Sequence, residues 1–258
     1  MGSLMNKKNV VVMGVANKWS IAWGIAKKFQ EENANLIFTY YGERSLKALE
    51  KLLAEENVHD VLLISCDVTS DEDIESTFAE IKERVGVLHG VVHSIAHAKK
   101  EELAGEYKDT SREGFLMAQD ISAYSLVAVT KYAEPLMTEG GSIVTLTYLG
   151  GERVVKNYNV MGVAKASLEA SVKYLAHDMG IRNIRVNAIS AGPIKTLAAK
   201  GVSGFSALQK AFEEKAPIRR MVTQEEVANT ALFLCSDMGT GVTGENIHVD
   251  CGYHILGY

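Results

Sequence analysis

Tyr158 and Lys165 stand seven residues apart, in a stretch whose apolar spacing predicts a helix running to about Met179. Seven residues are almost two α-helical turns, so both side chains are expected on one helix face, with a rise of roughly 10 Å between their Cα atoms. Tyr148 lies upstream, just past the apolar run Ile143 to Leu146 that reads as a buried strand. A phenol and an ammonium on one face, beside a second phenol at a strand's carboxyl end, suit a reaction that builds an oxyanion. The phenol donates a hydrogen bond or a proton. The ammonium holds a polyhydroxyl ligand and favours negative charge nearby. Tyrosines on half-buried helices often only pack, so the pair takes its meaning from the elements around it.

Those elements alternate. Short apolar runs near Val10–Met13, Leu36–Tyr40, Val61–Ser65, Gly90–Ser94, Ser142–Thr147, Arg185–Ser190 and Asn246–Val249 read as buried strands. Amphipathic or capped helical patterns fall between most of them, with Ser70-Asp71-Glu72-Asp73 and the capping box Thr223-Gln224-Glu225-Glu226 as start signals. This alternation predicts an α/β fold: a doubly wound, Rossmann-type parallel sheet of about seven strands with helices on both faces. With 258 residues, three prolines and no linker-like stretch, the whole chain, 1–258, is expected to form one dinucleotide-binding and catalytic domain. In such sheets ligands sit outside the carboxyl ends of the strands. Gly14, Tyr41, Asp67, Ser94, Tyr148 and Ser190 all fall there and are expected to line one crevice.

The first strand–helix turn, Gly14 to Gly24, lacks the G-x-G-x-x-G fingerprint. Gly14 still allows a tight turn, and Ser20-Ile21 put a hydroxyl and backbone N–H groups at a helix start, where a pyrophosphate binds. A plain loop fits the same letters. After the second strand, Tyr40-Tyr41-Gly42-Glu43 offers no cation to a 2′-phosphate, which favours NADH over NADPH; Arg44 and Lys47 come only later. Asp67-Val68 suits an adenine edge, with a capping aspartate as the equal alternative. The segment from Ile194 to about Gln209 is long, small-residued and apolar, as a substrate-covering loop would be, and Ile194 and Thr196 are placed to meet a nicotinamide amide and a phosphate.

The composition narrows the field. A net charge of −5 argues against a nucleic-acid partner. Three widely spaced cysteines suit a reducing cytosol, and the chain is expected to be cytoplasmic. No apolar run approaches the ~20 residues of a membrane span, and Asn6, Lys7 and Lys8 lead straight into the first strand without a signal-peptide block. His93 and His97 are four apart, but on a strand and a loop; with no Cys-x-x-Cys, no metal site is expected.

Together these residues resemble the bacterial enoyl-acyl-carrier-protein reductases, in the divergent branch of the short-chain dehydrogenase/reductase superfamily. The resemblance spans nearly the whole chain. It rests on Gly14-x5-Ser20-Ile21, Asp67-Val68, Ser94-Ile95-Ala96, Tyr158-x6-Lys165, Ser190-Ala191-Gly192-Pro193-Ile194 and Gly241-Val242-Thr243-Gly244-Glu245. Ordinary carbonyl-reducing members have three residues between tyrosine and lysine, and a serine near where Tyr148 stands. The resemblance implies an active-site pair Tyr148 and Tyr158, with Lys165 on the nicotinamide ribose. It also implies cofactor contacts from Gly14, Ser20, Ile21, Tyr41, Asp67, Val68, Ile95, Ile194, Lys195, Thr196, Leu197 and Ala198, and substrate contact from Ala98. NADH as cofactor, an acyl-carrier protein as partner, a homotetramer and a role in fatty-acid elongation follow in the same way. His97 stands where the family often has phenylalanine, and Trp19 where a smaller or basic residue is usual. A carbonyl-reducing dehydrogenase and a dinucleotide sensor without turnover are the rival readings.

Overall fold

Alternation along the strands divides the interior into two cores. Val10 and Val12 of the first strand face one way, with Phe38, Val144 and Ile189; Val11 and Met13 face the other, with Ile37, Ile143 and Val186. The period-two pattern of strand side chains forces that split, and a helix layer must cover each face. In the computed structural model, which describes residues 3–194, 196 and 205–257 (backbone only at 205–208), the strands are β1 (Asn9–Met13), β2 (Asn35–Tyr40), β3 (Leu62–Ser65), β4 (Gly90–His93), β5 (Gly141–Thr147), β6 (Ile184–Ala191) and β7 (Asn246–Val249). They form a parallel sheet in the order β3-β2-β1-β4-β5-β6-β7.

Helices α1 (Ile21–Glu31), α2 (Gly42–Glu55), α7 (Phe205–Lys215) and α8 (Gln224–Cys235) cover the first face. Helices α3 (Asp71–Arg84), α5 (Ser125–Ala133) and α6 (Asn159–Gly180) cover the second. Helix α4 (Arg112–Gln119) runs into α5 through a π-helical turn, Asp120–Tyr124. The expected caps form: Ser70 accepts from Asp73 N–H, and Thr223 and Glu226 close a capping box. No described helix is long and apolar enough to cross a membrane.

The strand order reverses between β1 and β4, so the chain leaves the sheet in opposite directions from these two neighbours. That opens a crevice at their carboxyl ends, bounded by Gly14 and Ser94. Two expectations need correction. Tyr158 is not helical: it is the N-cap of α6 (φ −123°, ψ −2°), because Asn157 before it takes φ 62° and breaks any helical run. The stretch expected to be loop through Gln209 is already helical from Phe205.

Candidate active site

The crevice deepens into a cavity of about 530 Å³. Of the residues singled out from sequence, Gly14, Ser20, Ile21, Ile95, Ala98, Tyr148, Tyr158, Lys165, Ile194 and Thr196 wall it. Tyr41, Asp67 and Val68 do not; β2 and β3 lie further along the sheet edge, away from the reversal. Ser190 is buried inside β6 opposite Thr147, and of the six expected strand-end residues Gly14, Ser94 and Tyr148 wall this cavity. Lys195, Leu197 and Ala198 lie outside the described residues.

At one end of the cavity stands the start of α1. Ser20 is its N-cap, yet the hydroxyl bonds backward: Oγ accepts from the N–H groups of Ala16 and Asn17, both at 3.0 Å. Those two bonds occupy the oxygen's lone pairs and leave its one proton for an acceptor in the cavity. No side chain caps α1, and its first turn carries no acid. The helix therefore offers unneutralised N–H groups and the positive end of its dipole to an anion. The loop is held from a distant element. Gln224, in the first turn of α8, donates from Nε2 to the carbonyls of Ser20 and Lys18, tying the loop to α8.

At the other end stand the phenols and the lysine. β5 delivers Tyr148, and a short 3-10 turn, Leu149–Gly151, carries the chain over the ring of Tyr158. A Cβ at Gly150 would run into that ring, so only glycine lets the turn approach so closely. The two tyrosine rings meet edge to face, with centroids 5.1 Å apart and planes at 72°. Burial pushes the Tyr148 hydroxyl up to about 12, with Tyr253 and Asp250 adding to it. Burial raises Tyr158 further still, assisted by Tyr148 and Glu169. Both phenols therefore keep their protons at any ordinary pH and act as donors. Lys165, on the first turns of α6, is buried and donates to the Leu146 carbonyl at 2.7 Å. Burial lowers it to about 8, against the opposing pull of Glu169. A buried ammonium near the edge of ionisation, in one cavity with two protonated phenols, can bind hydroxyls and stabilise an oxyanion.

For several residues the structure decides between open alternatives. Asp67 Oδ1 accepts from Thr69 N–H (2.9 Å) and Thr69 Oγ1 (2.7 Å) in an Asx-type turn, while the cap of α3 is Ser70 and not Asp67. His93 is fully buried between Thr145 Oγ1 (3.1 Å) and Ser125 Oγ (2.9 Å), and burial together with the Lys165 charge depresses it to about 3, so it is neutral. His97 walls the cavity, its backbone N–H bonded to Ser122 Oγ at 3.0 Å. Among the described residues no three His, Cys, Asp or Glu side chains gather to hold a metal. Thr147, Val155, Met161 and Leu103 also wall the cavity. They are silent in the sequence, because apolar and small residues at strand and helix ends look like core.

The chain as a whole is similar to known proteins. Residues 14–254 match the family described as enoyl-(acyl carrier protein) reductase. The chain is 64% identical over 248 residues to the NADH-dependent enoyl-[acyl-carrier-protein] reductase FabI of Bacillus subtilis, covering 96% of each. It is 59% identical over 252 residues to the FabI of Staphylococcus aureus (strain MRSA252), named as NADPH-dependent, covering 98% of each. The crystal structure of the Bacillus cereus enoyl-acyl carrier protein reductase with NADP+ and an indole naphthyridinone superposes with a TM-score of 0.96 at 61% identity, covering all of both chains.

Proposed function

This chain belongs to the enoyl-(acyl carrier protein) reductase family, and from that premise we propose that it reduces the trans-2 double bond of enoyl groups carried on acyl-carrier protein, with NADH as the preferred donor. One observation carries the reading: a single cavity joins an open helix N-terminus to a buried lysine and two protonated phenols. The donor set fits a dinucleotide. Ser20 and the first amides of α1 take the pyrophosphate, Lys165 takes a ribose hydroxyl, and Gly14, Ile21, Ile95, Ile194 and Thr196 pack along it. When bound, the nicotinamide supplies the hydride that reaches the β-carbon. Tyr158 hydrogen-bonds the thioester oxygen as charge gathers there in the enolate. Tyr148 closes the pocket beside it, and Ala98, Val155 and Met161 offer the acyl chain an apolar wall. The α-carbon proton comes ultimately from solvent.

The test is direct. NADH absorbance should fall when a crotonyl thioester is added, and a panel of alcohols with NAD+ should give no comparable turnover. Alcohol oxidation without enoyl reduction would instead establish the carbonyl-reducing reading. Binding of NADH without its consumption would establish a sensor.

The end of β2 bears on cofactor choice. Tyr41 is exposed and caps α2, and the nearest basic side chain beyond Arg44, Lys47, is paired with Glu43 at 2.5 Å. Among the described residues, then, Tyr41-Gly42 itself holds no cation ready for a 2′-phosphate, which supports NADH. Gly42 has φ 71°, so a lysine there would be strained, and the cation is better introduced at Tyr41 alone. Tyr41→Arg should raise kcat/KM for NADPH by roughly ten- to a hundredfold, as one charge-assisted bond of ~1.5–3 kcal/mol would. A wild type that already favours NADPH would mean that Arg44 reaches the phosphate.

The tie from α8 to the first loop yields a second expectation. Gln224→Ala removes two bonds to the Lys18 and Ser20 carbonyls. KM for NADH should rise by roughly five- to tenfold at little change in kcat, since each neutral bond contributes about 0.5–1.5 kcal/mol. An unchanged KM would show that α1 alone shapes the loop.

A cytoplasmic homotetramer completes the proposal. Leu116, Tyr124 and Tyr174, on or beside helices α4 to α6, are large and exposed, as surfaces awaiting further copies are. Light scattering on the purified protein measures the assembly.

A further inference from the structure

Behind the cavity wall, Glu169 lies one helical turn beyond Lys165 on α6, half-buried beneath the active-site turn. Its Oε1 accepts from the Thr147 hydroxyl at 2.6 Å. Lys165 Nζ donates to the carbonyl of Leu146, the preceding residue of the same strand end. The two side chains make no direct ion pair. Opposite charges are instead anchored on successive residues where β5 delivers Tyr148. The third tether is steric: a Cβ at Gly151 would lie 2.5 Å from Glu169 Oε1 and 3.1 Å from the Ala166 nitrogen, so the turn after Tyr148 rests directly on this carboxylate.

Resting on the reading of Lys165 as the group that holds NADH, we propose that Glu169 is a positioning residue of the active site, the counter-charge that keeps the buried Lys165 cationic from behind β5. It touches neither cofactor nor substrate and acts through Lys165 and Thr147. The groups packed around it pull in both directions. Burial opposes its ionised form most, and Glu152, from the turn after Tyr148, opposes it too; the Thr147 bond favours it, as do Lys165 and Lys173 on its own helix. Glu152 is itself engaged by His248 Nε2 (2.8 Å) and Asn246 Nδ2 (2.9 Å), which spreads its charge away from Glu169. His93, which also feels the Lys165 charge, is neutral and supplies no charge of its own. Burial drives Lys165 towards losing its proton, and Glu169 supplies the opposing pull. The same negative charge also disfavours ionisation of Tyr158. One carboxylate thus favours the charged lysine against burial and adds, after burial and Tyr148, to the pull that keeps the phenol protonated.

Glu169→Gln is the informative variant, because the amide oxygen still accepts from Thr147 while the charge is gone. The readout is the NADH dissociation constant of the full-length protein, by fluorescence titration without substrate, from pH 6 to 10. Removing a counter-charge at this range is expected to raise the lysine's acid dissociation constant roughly tenfold. With the neutral lysine binding NADH roughly ten- to a hundredfold more weakly than the cation, the ratio of variant to wild-type NADH dissociation constants should climb by up to about fourfold from pH 6.5 to pH 9. A ratio that stays constant with pH would assign Glu169 a packing role only and overturn the proposal. Should the glutamine variant fail to fold, Glu169→Met decides. It removes the charge and keeps much of the side-chain bulk, so its ratio should also climb with pH; a flat ratio there overturns the proposal equally. Failure of the enzymatic reading would show elsewhere, as wild-type protein that binds NADH and does not consume it with an enoyl thioester.

Discussion

Tyr158→Phe is expected to lower kcat on enoyl thioesters by ~10²–10⁴-fold while the NADH dissociation constant stays near that of the wild type. The substitution removes one oxygen and little else. The ring keeps its seat against Gly150 and its edge contact with Tyr148, so the pocket holds its shape. What is lost is a donor aimed at charge that exists only in the transition state, and such a loss falls on kcat. Because burial raises the Tyr158 hydroxyl well above its ordinary value, no alkaline limb from its ionisation should appear in the wild-type profile. Tyr148→Phe should be milder, since that ring is assigned to the wall of the pocket. If Tyr158→Phe retains full kcat and Tyr148→Phe abolishes it, the principal donor is Tyr148.

Lys165→Met acts first on binding. Its charged donor is worth ~1.5–3 kcal/mol to a ribose hydroxyl, so the NADH dissociation constant should rise by roughly ten- to a hundredfold at pH 7. The effect should fade with alkali. Burial sets Lys165 at about 8, below the usual lysine value, so the wild-type cation is present below that pH and lost above it. Linkage gives a matching signature in stability. Between about pH 8 and the ordinary lysine value of 10.5 the unfolded chain binds the proton that the folded chain has released. This lysine's contribution to stability therefore rises with pH across that window, and the methionine variant lacks the rise. Calorimetry of both proteins without cofactor, together with NADH titrations at pH 7 and 9.5, tests the two arms. Equal NADH affinity of wild type and variant at pH 7 would remove Lys165 from the binding site.

The layers of this molecule are readable in its sequence because parallel strands buried on both faces leave continuous apolar runs, and each of the seven observed strands begins or ends within about a residue of its run. The cavity end built from Ser20 and Ile21, and the group Tyr148, Tyr158 and Lys165, are readable as residue types. Their geometry is not. Tyr158 sits in register with Lys165, which predicts it on the helix, yet Asn157 turns left-handed before it, and the phenol is placed by contacts with Gly150 and Tyr148. Asp67 could cap or bind, yet the cap of α3 is Ser70, and Asp67 instead closes an Asx-type turn on Thr69 through one carboxylate oxygen. Gln224 carries no local signal, since its partners lie 204 and 206 residues away. Glu169 reads as one more polar residue of a helix, and only the fold sets it beneath the turn.

The strand order has a consequence in time. In an all-parallel sheet no two neighbours can be joined by a tight hairpin, so every pairing waits for a crossover to close. The half made of β3, β2, β1 and β4 is complete by His93, whereas β5, β6 and β7 come only from Gly141 onward. Pairings of such long sequence separation form slowly, because the loop-closure entropy must be met before the contacts reward it. A chain emerging from the ribosome therefore has its nucleotide-facing half available well before β5 arrives with Tyr148. Until then β4 is an open edge, apolar on both faces, with Val91 and Val92 exposed to any partner that reaches them. The edge of β4 that β5 later covers, one strand away from the reversal that creates the binding crevice, is thus a seam open to aggregation in the nascent protein.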